Sequence, residues 1–167
     1  EMVRKLESLP MGDPLDPETK VGPVVSERQM QSVLDYIEIG KREGAVLACG
    51  GERATDGDLA NGCFIKPTVF TGVTNDMQIA REEIFGPVLC VMAYESESEA
   101  LAIANDSIFG LGGGVWSEDI DHAKQIAAGM RTGTVWINDW HLLSERMPFG
   151  GYKQSGVGRE FGEEGLN

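Results

Sequence analysis

The 167-residue sequence has no apolar run approaching the roughly 20 residues a membrane-spanning helix needs. Residues 1–10 also lack the apolar core of a signal peptide, so the sequence reads as cytoplasmic, with no membrane partner. Cysteine is scarce: Cys49, Cys63 and Cys90 are odd in number, far apart and free of any C-x-x-C spacing, which argues against a disulfide framework or a zinc site. Histidine is scarcer still, and neither His122 nor His141 has a second ligand at metal spacing, so no metal is expected. Basic residues are too few and too scattered for a phosphate-backbone binder: 14 Lys and Arg face 27 Asp and Glu, for a net charge of −13. Nucleic acid is therefore excluded as a partner, and the acidity is read as solubility rather than as a cation site.

What is present is an ordinary globular composition, 41% hydrophobic and 25% charged, with no low-complexity tract and no internal repeat. This length buries about two-thirds of the unfolded chain's surface and is expected to form one domain around a single core. Met2 to Leu6 reads as the last turns of a helix that begins upstream, because helical spacing appears there without a cap. Three prolines make Met11 to Val25 a loop. Ser26 then caps a helix with Met30, Val33, Leu34 and Ile37 on one face, ending near Gly44, and Ala45 to Cys49 is a short strand. Phe64 to Val73 has strand character, with Pro67 pointing to an edge or a bulge. A brief helix over Asp76 to Glu83 precedes Pro87 to Tyr94, whose almost unbroken apolarity predicts a strand at the sheet's centre. Ser96 and Glu99 form a capping box for a helix through Asn105. A strand over Gly112 to Trp116, a helix over Ile120 to Met130 and a strand over Thr134 to Asn138 follow. The alternation predicts an α/β fold: a mostly parallel open sheet with flanking helices.

Two stretches carry chemistry. Glu82-Glu83-Ile84-Phe85-Gly86-Pro87-Val88 sets two carboxylates and an aromatic ring before a turn and a strand. Such a carboxylate can accept hydrogen bonds from the vicinal hydroxyls of a sugar while Phe85 offers an apolar face. The second is Pro148-Phe149-Gly150-Gly151-Tyr152-Lys153-Gln154-Ser155-Gly156. Its glycines suggest a phosphate cradle, but no strand feeds it directly and the glycine after Gly156 and Gly158 falls one residue late for G-x-G-x-x-G, so it is read as architecture. Asn138 to Leu143 leaves a strand end, the usual place for a binding loop, and is the substrate-selectivity candidate. Asn138 itself is expected to satisfy backbone groups. Cys90, inside an apolar strand, is expected to be a small hydrophobe with a raised pKa and not a nucleophile.

Together, in this order, the two stretches resemble signatures of the NAD(P)-dependent aldehyde dehydrogenases, and the resemblance covers essentially the whole chain. It implies that Glu83 contacts the nicotinamide ribose and Phe85 packs near the nicotinamide, with NAD or NADP as cofactor of the complete protein. Trp140, Leu143 and Phe149 are implied to line the aldehyde channel. Trp140 either faces an ammonium group by cation–π attraction, which favours betaine or amino aldehydes, or packs under its own loop. The resemblance implies further that this chain is the C-terminal part of a catalytic domain. The nucleophilic Cys, the general-base Glu and the Rossmann-like cofactor domain are expected upstream, so no catalytic residue falls in this chain. The complete protein is then a homo-oligomer, a dimer or tetramer, that oxidises an aldehyde to a carboxylate through a cysteine thiohemiacetal and thioester. The 167 residues alone are expected to be inactive, with apolar surface uncovered. Two alternatives stand beside this: a self-standing nucleotide-binding or interaction module, and an acylating relative that releases a CoA thioester.

Overall fold

The computed structural model describes residues 1–166, and the chain divides into two compact units, Glu1–Ala93 and Tyr94–Asn167. The hydrophobic core cluster lies in the first of them.

The first unit is built on α2 (Glu27–Arg42), which follows a short α1 (Met2–Glu7) and the proline-rich loop. Ser26 caps α2 as its sequence predicts, its Oγ accepting the Gln29 N–H at 3.2 Å, and Glu27 and Lys41 suit the two ends of the helix dipole. Met30, Val33 and Ile37 recur at helical spacing and are buried. Val33 and Ile37 are fully so, each contributing roughly 1.5–3 kcal/mol. They pack with Ile65, Phe70, Ile79 and Ile84 in the unit's core.

The sheet of this unit has the order β1 (Val46–Cys49), β2 (Thr68–Thr71), β3 (Val88–Cys90). β1 pairs with β2 antiparallel across a bulge after Leu47, and β2 pairs with β3 parallel, with α3 (Gln78–Arg81) in the connection. Two expectations reverse here. β2 is the central strand, because Pro67 sits one residue before the first ladder pair and removes no needed N–H. β3 is three residues at the edge, where Leu89 is 46% exposed. After Cys90, half-buried Met92 packs against the core, whereas Ala93 and Tyr94 are exposed, so the run does not extend a central strand.

In the second unit α4 (Glu97–Asn105) is capped by Ser96, whose Oγ accepts the Glu99 N–H. The reciprocal bond of the capping box is shifted by one residue: the Glu99 carboxylate takes the N–H of Glu95 at 2.8 Å. β4 (Phe109–Gly110) pairs antiparallel with β7 (Tyr152–Lys153). β5 (Gly112–Val115) pairs parallel with β6 (Thr134–Ile137) through α5 (Ile120–Gly129). The α/β class therefore holds, with parallel pairs joined by helices, but the strands are spread over three small sheets rather than one. The buried apolar side chains described in this unit are Ala123 and Trp136, while Trp116, Met147 and Val157 are exposed. Among the described residues no helix is long and apolar enough to cross a membrane.

Candidate functional site

In the first unit the site is a corner formed where α3 gives way to β3. α3 ends at Arg81, and Glu82 turns extended as its C-cap. The Glu82 carboxylate accepts the Tyr36 hydroxyl at 2.6 Å and the Gln78 amide at 2.9 Å. The Tyr36 bond, then the Gln78 bond, hold its pKa below the usual value, and the same carboxylate raises that of Tyr36. Glu82 is consumed in tying α3 to α2. The next carboxylate, Glu83, has no partner among the described residues and faces solvent.

The backbone beyond Glu83 is clamped from α2. Ile84 is buried in the core, and Phe85 adopts the left-handed conformation at φ +55°. One side-chain amide, Gln29 Nε2, donates to the carbonyls of both Ile84, at 3.2 Å, and Phe85, at 3.0 Å. At Gly86 a Cβ would lie 2.5 Å from Cγ2 of the fully buried Val33, so only glycine lets the chain pass this close to α2. The Pro87 carbonyl then accepts the Thr68 N–H and enters the ladder. The Phe85 ring, with its backbone so fixed, is 71% exposed. It borders a shallow cavity of about 430 Å³ together with Glu82, Glu83, Ile84, Val88 and Cys90. A free carboxylate acceptor beside an exposed flat ring is the pair of groups that suits a vicinal diol carrying a planar heterocycle. Cys90 contributes no nucleophile: burial pushes its pKa up, and its thiol donates to the Ile79 carbonyl at 3.4 Å.

Gln29 is the residue of this corner that sequence reading misses. Its place three residues after Ser26 is the reciprocal position of a capping box, a purely local signal. Its side chain instead reaches residues 55 and 56 positions away.

In the second unit the loop after β6 is shaped by Asn138 and Trp136. Asn138, left-handed at φ +54°, exchanges hydrogen bonds with the N–H and carbonyl of Ser117, serving backbone groups as expected. Trp136 is 8% exposed, and its indole N–H donates to the Leu142 carbonyl at 2.8 Å, which pins the loop to the strand. A cavity of about 560 Å³ results, walled by Trp136, Asp139, Leu142, Leu143, Met147 and Phe149. Leu143 and Phe149 both line it. Trp140 does not line this cavity; it stands 50% exposed beside it, stacked on His141 with 5.1 Å between centroids and 12° between planes.

The glycine-rich stretch is tied down by hydrogen bonds to residues 105–110 and within itself. Ser155 Oγ accepts the Gly110 N–H, Lys153 Nζ donates to the carbonyls of Asn105 and Ser107, and Arg159 donates to those of Gly151 and Gly158. Gly133 is required beneath it: a Cβ there would meet the Gly150 carbonyl oxygen at 1.5 Å. His122 pairs with Glu97 at 2.6 Å, linking α5 to α4. No group of three or more His, Cys, Asp or Glu side chains among the described residues is placed to hold a metal ion.

The aldehyde dehydrogenase family model matches residues 1–167. Betaine aldehyde dehydrogenase of Bacillus subtilis is 48% identical over 166 residues, which is 99% of this chain and 34% of that protein. Betaine aldehyde dehydrogenase of Mesorhizobium japonicum is 50% identical over 159 residues, 95% of this chain and 33% of that protein. The crystal structure of betaine aldehyde dehydrogenase from Staphylococcus aureus in complex with NAD+ superposes with a TM-score of 0.96 at 45% identity, covering 99% of this chain and 33% of that one. The chain spans about a third of the length of these relatives. From its two signature stretches and its fold alike, the chain belongs to the aldehyde dehydrogenase family.

Proposed function

We propose that this chain is the C-terminal part of the catalytic domain of an NAD(P)-dependent aldehyde dehydrogenase, and that the complete protein oxidises an aldehyde to a carboxylate through a cysteine thiohemiacetal and thioester. When bound, the nicotinamide cofactor supplies the hydride acceptor. This chain contributes positioning. Glu83 accepts the two ribose hydroxyls, and the exposed Phe85 ring confines the nicotinamide on one side. The nucleophilic Cys and general-base Glu come from the part of the complete protein outside these residues, so the isolated chain is inactive. The observation that carries this reading is the division of labour between adjacent carboxylates: Glu82 is bonded into the fold, whereas Glu83 is left without a partner beside Phe85.

Leu143 and Phe149 form the apolar wall of the aldehyde channel, in the cavity they share. The open face of Trp140 attracts an ammonium group, which selects betaine aldehyde or an amino aldehyde. The 48–50% identity to two betaine aldehyde dehydrogenases supports this choice of substrate. We propose also that the complete protein is a cytoplasmic homo-oligomer.

The test is Glu83→Gln in the complete protein. Hydrogen bonds to a charged acceptor contribute about 1.5–3 kcal/mol, so kcat/KM for the cofactor should fall about 10- to 100-fold, with Glu82→Gln well below that. Equal effects at the two positions would refute the assignment. Calorimetry with NAD on the isolated chain separates this reading from a self-standing module, since micromolar binding by the 167 residues alone would favour the module.

A further inference from the structure

Trp136, Trp140 and His141 form a cluster of three rings whose geometry is closed on one side only. Their centroids lie 5.1 Å (Trp136 to Trp140), 5.1 Å (Trp140 to His141) and 5.9 Å (Trp136 to His141) apart, a near-equilateral triangle. Seen from Trp140, its two neighbours are therefore separated by well under a right angle and crowd one side of the indole. The other side is open, in keeping with its half exposure.

The two neighbours do different things. Trp136 is a fixed post, buried and hydrogen-bonded, and it meets Trp140 at 57°, a tilted contact. His141 lies parallel, within 12°, in an offset stack against one face. Consecutive side chains of an extended segment point to opposite sides, so two adjacent rings can lie parallel only where the backbone turns. His141 supplies that turn with φ +61°. An offset stack of this kind holds a ring orientation that a solvated indole on a loop would otherwise lose among its rotamers.

We propose that His141 is a positioning residue for substrate selection: by covering one face of Trp140 it fixes the opposite face as the surface that receives a quaternary or primary ammonium. This rests on the reading of Trp140 as the cation contact and adds the element that makes it directional. His141 itself touches no substrate.

The experiment uses the complete protein and the ratio of kcat/KM for betaine aldehyde to that for 3,3-dimethylbutanal, in which carbon replaces the charged nitrogen at nearly constant shape. Trp140→Ala should lower the ratio by about 2- to 30-fold, the range of a cation–π contact. His141→Asn removes the ring while keeping a residue that tolerates positive φ, and should reproduce most of that loss through a raised KM for the cation. His141→Phe restores a stacking ring and should recover the wild-type ratio, which a general packing defect would not. If Trp140→Ala lowers the ratio while His141→Asn leaves it within twofold of wild type, the positioning role of His141 is overturned. A ratio unmoved by Trp140→Ala overturns the cation contact itself, and the present inference with it.

Discussion

Replacing Gln29 with Met keeps the length and helix propensity of the side chain and deletes only its amide donors. Both bonds that fasten the Glu83 corner to α2, to the carbonyls of Ile84 and Phe85, are then lost. A neutral hydrogen bond contributes about 0.5–1.5 kcal/mol net, so the pair is worth about 1–3 kcal/mol. The Phe85 carbonyl is exposed and water can replace its bond, which puts the loss near the lower end. Against this stands the left-handed backbone of Phe85, costing about 1–2 kcal/mol for a residue with a Cβ. The two terms are of one size, so removing the amide leaves the strained turn without its main restraint. About 1 kcal/mol of lost preorganisation corresponds to roughly a fivefold rise in cofactor KM. Steady-state kinetics on the complete protein with varied NAD or NADP measures it, with Ser96→Ala as a control that weakens the α4 cap and leaves Gln29 and its partners unchanged. A cofactor KM unchanged by Gln29→Met, with thermal stability lowered to the same extent as in the control, would refute the clamp.

Further outcomes follow from packing and charge. Gly133→Ala sets a methyl group against the Gly150 carbonyl, an overlap that backbone must move to relieve; a destabilisation of about 3 kcal/mol or more is expected in chemical denaturation, and a variant as stable as wild type would contradict the contact. The hydrogen bond to Glu97, reinforced by its charge, raises the pKa of His122 above the ordinary 6.5. A raised folded value means the stabilisation is complete below that ordinary value and is lost as pH climbs through the higher folded one. His122→Gln should flatten the stability profile in that window alone, and an unchanged profile would show that the pair contributes nothing there.

Local signals were the ones legible in the sequence. Ser26, Ser96 and the spacing of Val33 and Ile37 announce their helices because a cap and an amphipathic face are built from residues close in the chain. β3 was misplaced because an apolar run reports that side chains are covered, not which ladder position covers them; beyond the Val91 N–H, which still donates to Phe70, Met92 packs on the core and Tyr94 is exposed. Pro67 misled for a related reason, since its missing N–H matters only inside a ladder and it stands one residue outside. The division into two compact units was also beyond reach, as total burial does not say how the buried residues are partitioned. At the site, Glu83 and Phe85 are marked by their motif, but nothing local separates Glu83 from Glu82. Tyr36 does so, and it belongs to a different helix. The stack of Trp140 on His141 likewise comes with a left-handed backbone at His141, which sequence composition does not disclose.

The conformation of Phe85 has a consequence for engineering. A bulky aromatic residue at φ +55°, with most of its ring in water, is what a stability-guided redesign removes first, in favour of glycine or asparagine. That exchange would relieve the backbone and take away the exposed ring in one step. Thermostabilising campaigns on the complete protein should therefore hold position 85 fixed and seek their gains elsewhere, for example on the solvent side of α4, where no side chain is buried.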